Sequence, residues 1–353
     1  MMLLACALAV FALTGAPAGA STGAATGAAT LIVEGAGDGH GVGMSQDGAL
    51  GYAEHGWSAA QILAHYYTGT ALGQAPAHSV VKVLEGSKVV SVALERYVRG
   101  VVSAEMPSSW PMAALEAQAI ASRTYALTDH AGGSRFDVYS DTRSQVYESP
   151  PTAAAETATT NAAVAATAGE LVTYDGQPVT TYYFASSGGM TEDDENSFLG
   201  STPEPWLRGV ADAYEGTSSD WKLKISFQAA SARLRGLVKG SLRGIEVLRR
   251  GVSPRIVSAE VLGSRGNTPV SGPELEARLG LDSAWAYFSV KSGASVRREP
   301  DLSGQAPFTQ PPPESPPATP APTTAPQGGA QAPGTTAPAS TASSAATGGA
   351  QAG

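Results

Sequence analysis

The central stretch of the chain, residues 97–127, is YVRGVVSAEMPSSWPMAALEAQAIASRTYAL. Its first six residues alternate in the manner of a strand, and the apolar spacing farther on predicts a long helix over 112–128. Pro107 and Pro111 forbid a helix across the junction between them. We therefore expect Glu105 at a turn between two ordered elements, where a rigid scaffold can present a catalytic group.

The apolar neighbours of Glu105 suggest a function for its carboxyl group. Val101, Val102, Met106 and Trp110 would shield the carboxylate from water and raise its pKa, as a general acid requires. The alternative is a solvated carboxylate, or one that caps the following helix. The residues alone leave both interpretations open.

Three motifs together resemble the signature of the stage II sporulation protein D/LytB family. The first is the run from Glu95 to Leu127, the second is GHGVGMSQ over 39–46, and the third is SSGGMTE over 186–192. They span residues from about Gly35 to Ser289. The resemblance implies an exported peptidoglycan lytic transglycosylase, which cleaves the MurNAc–GlcNAc bond and leaves a 1,6-anhydro product.

This reaction needs fewer catalytic groups than ordinary glycoside hydrolysis. One carboxylic acid protonates the glycosidic oxygen and then deprotonates the C6 hydroxyl of the sugar, so no second carboxylate is needed to activate water. Glu105 matches the family's catalytic Glu. The alternative is a structural carboxylate in an inactive relative.

The resemblance also places two polar residues of the predicted helix near the site. Arg123 would bind a carboxylate of the muropeptide in a bidentate manner, or form a salt bridge to Glu116 or Asp129. Gln118 would bind sugar hydroxyls or form a hydrogen bond between helices.

The third motif would line the substrate groove. Its paired glycines let backbone amides approach a ligand or adopt positive φ. Tyr183 and Trp206 are candidate surfaces for stacking against sugars, with core packing as the alternative role. The residues that the resemblance assigns to this wall are Ser186, Ser187, Gly188 and Gly189.

The second motif precedes the third here, whereas most relatives have the opposite order. Such a circular permutation is tolerated when the two junctions lie close in space, so we expect the Gly35 segment beside the segment Ala284–Val290. By resemblance, His40, Ser45 and Gln46 lie near the groove. His40 would be a second acid or part of a structural loop.

The sequence predicts no metal and no other cofactor. Some relatives carry a Cys/His zinc cluster in the segment that matches 135–147, but this segment contains neither residue. The histidines elsewhere show no spacing typical of metal ligands. We expect Asp141, Arg143 and Gln145 to replace such a cluster with hydrogen bonds.

Composition predicts an exported protein that acts at the cell wall. Residues 1–20 resemble a secretory signal cleaved after Ala20, and no other apolar run is long enough to span a membrane. The only cysteine is Cys6, within that signal, which also faintly resembles a lipid-attachment site. The mature chain would therefore contain no disulfide. The net charge of −9 argues against nucleic acid as a partner.

We predict an α+β fold, with mixed helices and sheets in one catalytic domain over 31–296 and a small β-rich subdomain over 219–266. A flexible leader over 21–30 precedes the domain, and a disordered tail over 297–353, rich in Pro, Ala and Thr, follows it. The expected partner is the glycan strand of peptidoglycan. The alternative function is a non-catalytic glycan-binding modifier that stimulates a cell-wall amidase.

Local signals predict several elements of this domain. Ser58 would cap a short helix, and Val80–Val92 would form a hairpin around Gly86 and Ser87. A turn at Asp175 and Gly176 would lead into a strand over 178–184.

Overall fold

The computed structural model describes residues 29–149, 157–216, 219–293 and 295–304. The predicted signal, most of the leader, and the tail beyond residue 304 lie outside the described residues. The helices are α1 (Gln46–Glu54), α2 (Ala59–Tyr66), α3 (Leu94–Glu105), α4 (Met112–Thr128), α5 (Ala158–Ala166), α6 (Asp194–Ser197), α7 (Phe227–Arg233) and α8 (Gly272–Leu279). The strands are β1 (Thr30–Ala36), β2 (Met44–Ser45), β3 (Ala71–Gln74), β4 (Val80–Glu85), β5 (Lys88–Ala93), β6 (Val138–Tyr139), β7 (Glu170–Tyr174), β8 (Gln177–Pro178), β9 (Tyr183–Phe184), β10 (Asp220–Ser226), β11 (Leu242–Arg250), β12 (Ile256–Gly263), β13 (Gly266–Ser271), β14 (Ala286–Ser292) and β15 (Ser295–Arg298). This mixture of helices and small sheets confirms the predicted α+β fold.

The segment before Glu105 is the helix α3, so the predicted strand-like alternation is wrong. The buried residues of α3 recur every three or four positions, which is the spacing of one helical face, while Arg99 is exposed. Met106 is extended (φ −130°, ψ 141°) because it precedes Pro107, and the helix ends at Glu105. The residues of the buried face are Leu94, Tyr97, Val98, Val101 and Val102.

The predicted long helix is confirmed as α4, which begins directly after Pro111. It is buried around most of its circumference rather than along one stripe, because α1, α2, α3, α5 and β7 all contact it. Helices enclosed in this way belong to the core. Any polar side chain that points inward from α4 therefore has to find its partner within the protein.

Two hydrophobic clusters organise the described residues. The first surrounds α4, and the second lies between the sheet β10-β1-β14-β15, the sheet β11-β12-β13 and the helices α7 and α8. The second cluster includes Leu31 and Phe288, so it extends beyond the predicted subdomain over 219–266.

The predicted position of the Gly35 segment, beside the segment Ala284–Val290, is confirmed. The strand β1 pairs antiparallel with β14, with Gly35 opposite Ala286 and Leu31 opposite Val290. On its other edge β1 pairs with β10, which makes it an interior strand of the sheet.

The predicted strand over 178–184 is interrupted. The Asp175–Gly176 turn joins β7 to β8, as expected, but β8 ends at Pro178. The chain then leaves this sheet, and β9 pairs in parallel with β2, with Met44 opposite Tyr183. This pairing brings the GHGVGMSQ and SSGGMTE motifs side by side.

The predicted hairpin and helix cap are both confirmed. The strands β4 and β5 pair antiparallel, with Glu85 opposite Lys88 at the turn. Ser58 caps α2 with a reciprocal hydrogen-bond pair to Gln61.

The predicted start of the tail at residue 297 is wrong for the residues that the structure describes. The strand β15 pairs with β14, and the buried Arg250 forms an ion pair with Asp301 at 2.8 Å. The Leu302 amide donates to the Val247 carbonyl at 2.8 Å. These contacts hold the chain against β11 as far as residue 302.

Candidate active site

Glu105 is the last residue of α3, and three polar groups surround its carboxylate. The Val146 amide donates to Oε1 at 2.6 Å, and the Gln46 side-chain amide donates to Oε2 at 3.3 Å. The Tyr183 side chain is the third group, and its influence lowers the pKa of Glu105. These groups come from α1, β9 and the loop after β6, so the site forms where separate parts of the chain meet.

The environment of Glu105 favours the protonated acid. Burial raises the pKa of the carboxyl group, and hydrogen bonds from Val146, Gln46 and Tyr183 only partly oppose this effect. The carboxylate also lies at the negative end of the α3 dipole, which disfavours its ionised form. A carboxyl group that keeps its proton above the usual pH range can act as a general acid.

Gln118 lies beneath the site and is fully buried. Its oxygen accepts from the Gln46 amide at 3.4 Å, and its own amide donates to the Ser122 hydroxyl at 2.9 Å. The contact with Gln46 joins α4 to α1, which corresponds to the predicted alternative of a hydrogen bond between helices. Gln118 thus supports the residue that contacts Glu105.

The segment expected to replace a zinc cluster forms hydrogen bonds, as predicted. Gln145 donates to the Tyr97 hydroxyl at 2.9 Å and accepts from the Tyr183 hydroxyl at 2.7 Å. Arg143 donates to both oxygens of Asp141, at 2.8 and 2.7 Å. Within the described residues, no group of three or more Asp, Glu, His or Cys side chains could hold a metal ion.

Arg123 is fully buried, and its ion-pair partner is Glu95. The salt bridge predicted to Glu116 or Asp129 is wrong. The guanidinium points instead toward the first turn of α3, at the opposite end of the helix from Glu105. It binds both oxygens of Glu95, at 2.9 and 2.8 Å, and donates to the carbonyls of Ala119, Glu170 and Val164. This arrangement joins α3, α4, α5 and β7, and it favours a structural role over contact with substrate.

The loop of residues 186–189 directly follows β9, which carries Tyr183. Gly188 and Gly189 have φ values of +76° and +109°, as the glycine pair predicted. Ser186 and Ser187 are buried and bind Glu215 rather than facing open space. The buried Glu215 carboxylate therefore fixes the position of the loop.

His40 is half-buried among aromatic rings next to the site. Its Nδ1 accepts from the Val42 amide at 3.1 Å, and its ring packs against Phe184 and Phe198. Burial and the nearby Arg255 lower the pKa of His40 to about 4. The imidazole is therefore neutral near pH 7, which favours the structural alternative over a second acid.

Three neighbouring cavities of about 160, 280 and 450 Å³ are lined partly by aromatic side chains. The first and second share Tyr182 and Phe198, the second and third share Trp206, and Tyr183 lines the first. We call these four rings and their cavities the aromatic groove. Tyr183 lines the first cavity and is also one of the groups that act on the Glu105 carboxyl.

The sequence did not single out Asp212 and Glu215. Both are buried, Asp212 completely and Glu215 to within 4% exposure, and both lie behind the loop of residues 186–189. They occur in the loop ADAYE, which has no recognisable spacing or element pattern. No local signal could have identified them.

Comparisons with known proteins agree with the family resemblance, and the family model covers the first of the three motifs. The family model described as "Stage II sporulation protein" matches residues 85–174, which include Glu105. The chain is 28% identical over 212 residues to stage II sporulation protein D of Bacillus subtilis, a match that covers 56% of this chain and 60% of that protein. It is 32% identical over 144 residues to the amidase enhancer of Bacillus subtilis, covering 41% of this chain and 19% of that protein.

A further relative is an uncharacterized protein of Brachyspira hyodysenteriae. It is 40% identical over 120 residues, which cover 33% of this chain and 31% of that protein. The chain thus spans less than two thirds of the length of each of these relatives. In the part that the structure describes, no helix has the length and apolar character needed to cross a membrane.

Proposed function

We propose a function from the premise that this chain belongs to the stage II sporulation protein D/LytB family. The chain is an exported lytic transglycosylase that cleaves the MurNAc–GlcNAc bond of peptidoglycan and leaves a 1,6-anhydro product. The observation that carries this proposal is the carboxyl group of Glu105. It is shielded from water and has a raised pKa, and Tyr183 beside it also lines the first of the aromatic cavities.

The surroundings of Glu105 support a mechanism with one carboxyl group. Protonated Glu105 donates its proton to the glycosidic oxygen as the bond from that oxygen to C1 breaks. The carboxylate then accepts the proton of the C6 hydroxyl, and O6 bonds to C1 to close the anhydro ring. Glu105 ends the cycle protonated. The donors at Val146 and Gln46 stabilise the anion that exists between the two proton transfers.

The groups around the Glu105 carboxyl are a backbone amide, a side-chain amide and a tyrosine hydroxyl, none of which is ionised near neutral pH. Burial raises the pKa of Tyr183 well above its usual value. Anhydro-ring closure needs no second carboxylate, so this set of groups is sufficient for it.

The product of cleavage tests this proposal. Purified glycan strands, with and without stem peptides, would be incubated with the protein and analysed by mass spectrometry. We expect products that end in 1,6-anhydro-MurNAc. Products with a free reducing end would indicate hydrolysis, and the absence of any cleavage would contradict an enzymatic function.

A second candidate function follows from the similarity to the amidase enhancer. The chain would bind glycan without cleaving it and stimulate a separate cell-wall amidase. A stimulated amidase in the presence of the Glu105→Gln variant, together with no glycan cleavage by the wild type, would favour this function.

The pH dependence of cleavage follows from the raised pKa of Glu105. We expect kcat/KM to fall as the pH rises through that pKa, because the general acid must be protonated when substrate binds. The midpoint of this fall should lie above the ordinary glutamic acid pKa of about 4.3. The pKa of His40 is about 4, so His40 titrates only at the acidic end of the profile, below the expected midpoint. A midpoint at or below the ordinary value, measured from pH 4 to 9, would contradict the assigned role.

Truncation of Trp206 tests the aromatic groove. Trp206 is half-buried and lines two cavities, while its indole nitrogen donates to the Thr180 carbonyl at 3.1 Å. Trp206→Ala is expected to raise KM for long glycan strands by about tenfold, because stacking contacts worth about 1 kcal/mol or more are lost. The kcat should stay near the wild-type value, and Trp206→Phe should restore most of the affinity. An unchanged KM would exclude this part of the groove as a binding surface.

A further inference from the structure

Two buried carboxyl groups lie behind the loop of residues 186–189, outside the predicted site. The Glu215 carboxylate accepts from the Ser187 and Gly188 amides at 2.7 and 2.8 Å. It also accepts from the hydroxyls of Ser186 and Ser187, and from Ser45 at 2.9 Å. A buried carboxylate with this many donors has a fixed position, because any displacement would leave several polar groups unsatisfied.

Asp212 is the neutral partner of Glu215. Burial, followed by the charge of Glu215, raises the pKa of Asp212 well above its usual value. Burial opposes ionisation of Glu215 as well, but hydrogen bonds from Ser186 and Ser187 outweigh it and lower the pKa of that group. Tyr66 donates to Asp212 at 2.8 Å. The pair thus holds one negative charge on Glu215.

The Asp212–Glu215 pair is connected to Glu105 through the first turn of α1. Ser45 is the N-cap of α1, where its hydroxyl oxygen accepts from the Gly48 amide at 3.1 Å while donating to Glu215. The next residue, Gln46, donates to Glu105. Gly48 lies against Asp212, since a Cβ at Gly48 would be only 2.2 Å from the Asp212 carboxylate.

We propose that Glu215 is a positioning residue for Glu105. By holding Ser45, it fixes the first turn of α1 and so keeps the Gln46 amide on the Glu105 carboxylate. The catalytic consequence rests on the proposed function of Glu105. The positional part does not, because it concerns only the contacts of the free protein.

The positional part is tested by titrating Glu105 with carboxyl-carbon NMR, its signal assigned from the Glu105→Gln variant. Ser45→Ala removes both the link to Glu215 and the N-cap hydrogen bond from the Gly48 amide. Glu215→Gln leaves that cap in place and replaces an acceptor with an amide that opposes several donors. Both variants are expected to raise the pKa of Glu105, because the anion loses the Gln46 donor. The tyrosines facing Glu105, Tyr97 and Tyr183, have raised pKa values and stay protonated in this range.

Glu192→Gln is the matched control. Glu192 is equally buried and also accepts several hydrogen bonds, from Val252, Ser253, Asp193 and Asn196, but none of them leads to α1. This variant should leave the titration of Glu105 unchanged. The ionisable groups that face Glu215, namely Asp47, Asp212 and Arg255, are intact in all three variants.

Glycan cleavage provides the second readout. Ser45→Ala and Glu215→Gln are expected to lower kcat by about tenfold or more with KM within about twofold, whereas loss of a substrate contact would raise KM. An unchanged Glu105 titration in folded Ser45→Ala would overturn the proposal, and this variant decides it if Glu215→Gln does not fold. A wild-type protein that cleaves no glycan would overturn the proposed function, while the titration would still decide the positional part.

Discussion

Glu105→Gln is expected to abolish glycan cleavage while the protein stays folded. A positioned general acid typically contributes a factor of about 10² to 10⁴. Because the same carboxyl group serves as acid and then as base, we expect a loss of at least about 10³-fold. The measurement is the rate of formation of 1,6-anhydro ends.

The stability of this variant provides an independent check. Since the folded-state pKa of Glu105 is raised, the wild type is destabilised at pH values above that pKa and not at pH values below the unfolded-state pKa. Glu105→Gln should therefore be at least as stable as the wild type at pH 8, measured by urea unfolding. Glu116→Gln is the control. This substitution is at a half-buried position on α4 and should retain activity. Full cleavage by Glu105→Gln would exclude Glu105 as the acid.

Arg123→Ala is expected to destabilise the fold strongly. The substitution removes the guanidinium that donates to the Glu95 carboxylate and to three backbone carbonyls. Since Glu95 is 39% exposed and can be rehydrated, most of the loss comes from the buried side, where a polar group left without its partner typically costs about 1–3 kcal/mol. The free energy of unfolding, from urea titration monitored by circular dichroism, measures this effect.

The exposed Arg143–Asp141 pair supplies the matched control. Arg143 is 60% exposed and Asp141 50%, although the pair is similar in length to that of Arg123 and Glu95. Arg143→Ala should therefore change stability little. If Arg123→Ala were stable but bound muropeptides more weakly, the structural role would be wrong and the role in binding substrate would be supported.

Local signals predicted much of the framework of the fold. Proline placement and apolar spacing identified α4, and capping chemistry identified α2, because these features depend on residues close in sequence. The helix α3 was missed because its first apolar residues also fit an alternating pattern over a short window. The helix α1 gave little signal, since Gly48 and Gly51 both lower helix propensity.

The partners of site residues could not be predicted from local patterns. No local pattern identifies Glu95 as the partner of Arg123, because the two residues lie 28 positions apart on different helices. The same is true of Ser45 and Glu215, which lie 170 positions apart. Only the packing of α1 and α3 against α4 brings such groups together.

The place of β1 in its sheet has a consequence for synthesis on the ribosome. This strand is made early, yet its partner β14 is more than 250 residues farther along the chain. The second hydrophobic cluster therefore cannot close until nearly the whole domain has emerged, whereas the first can assemble around α4 beforehand. We expect nascent chains that stop before β14 to show protease-resistant α4 and protease-sensitive β1. The domain would then complete its folding only once β14 is available to pair with β1.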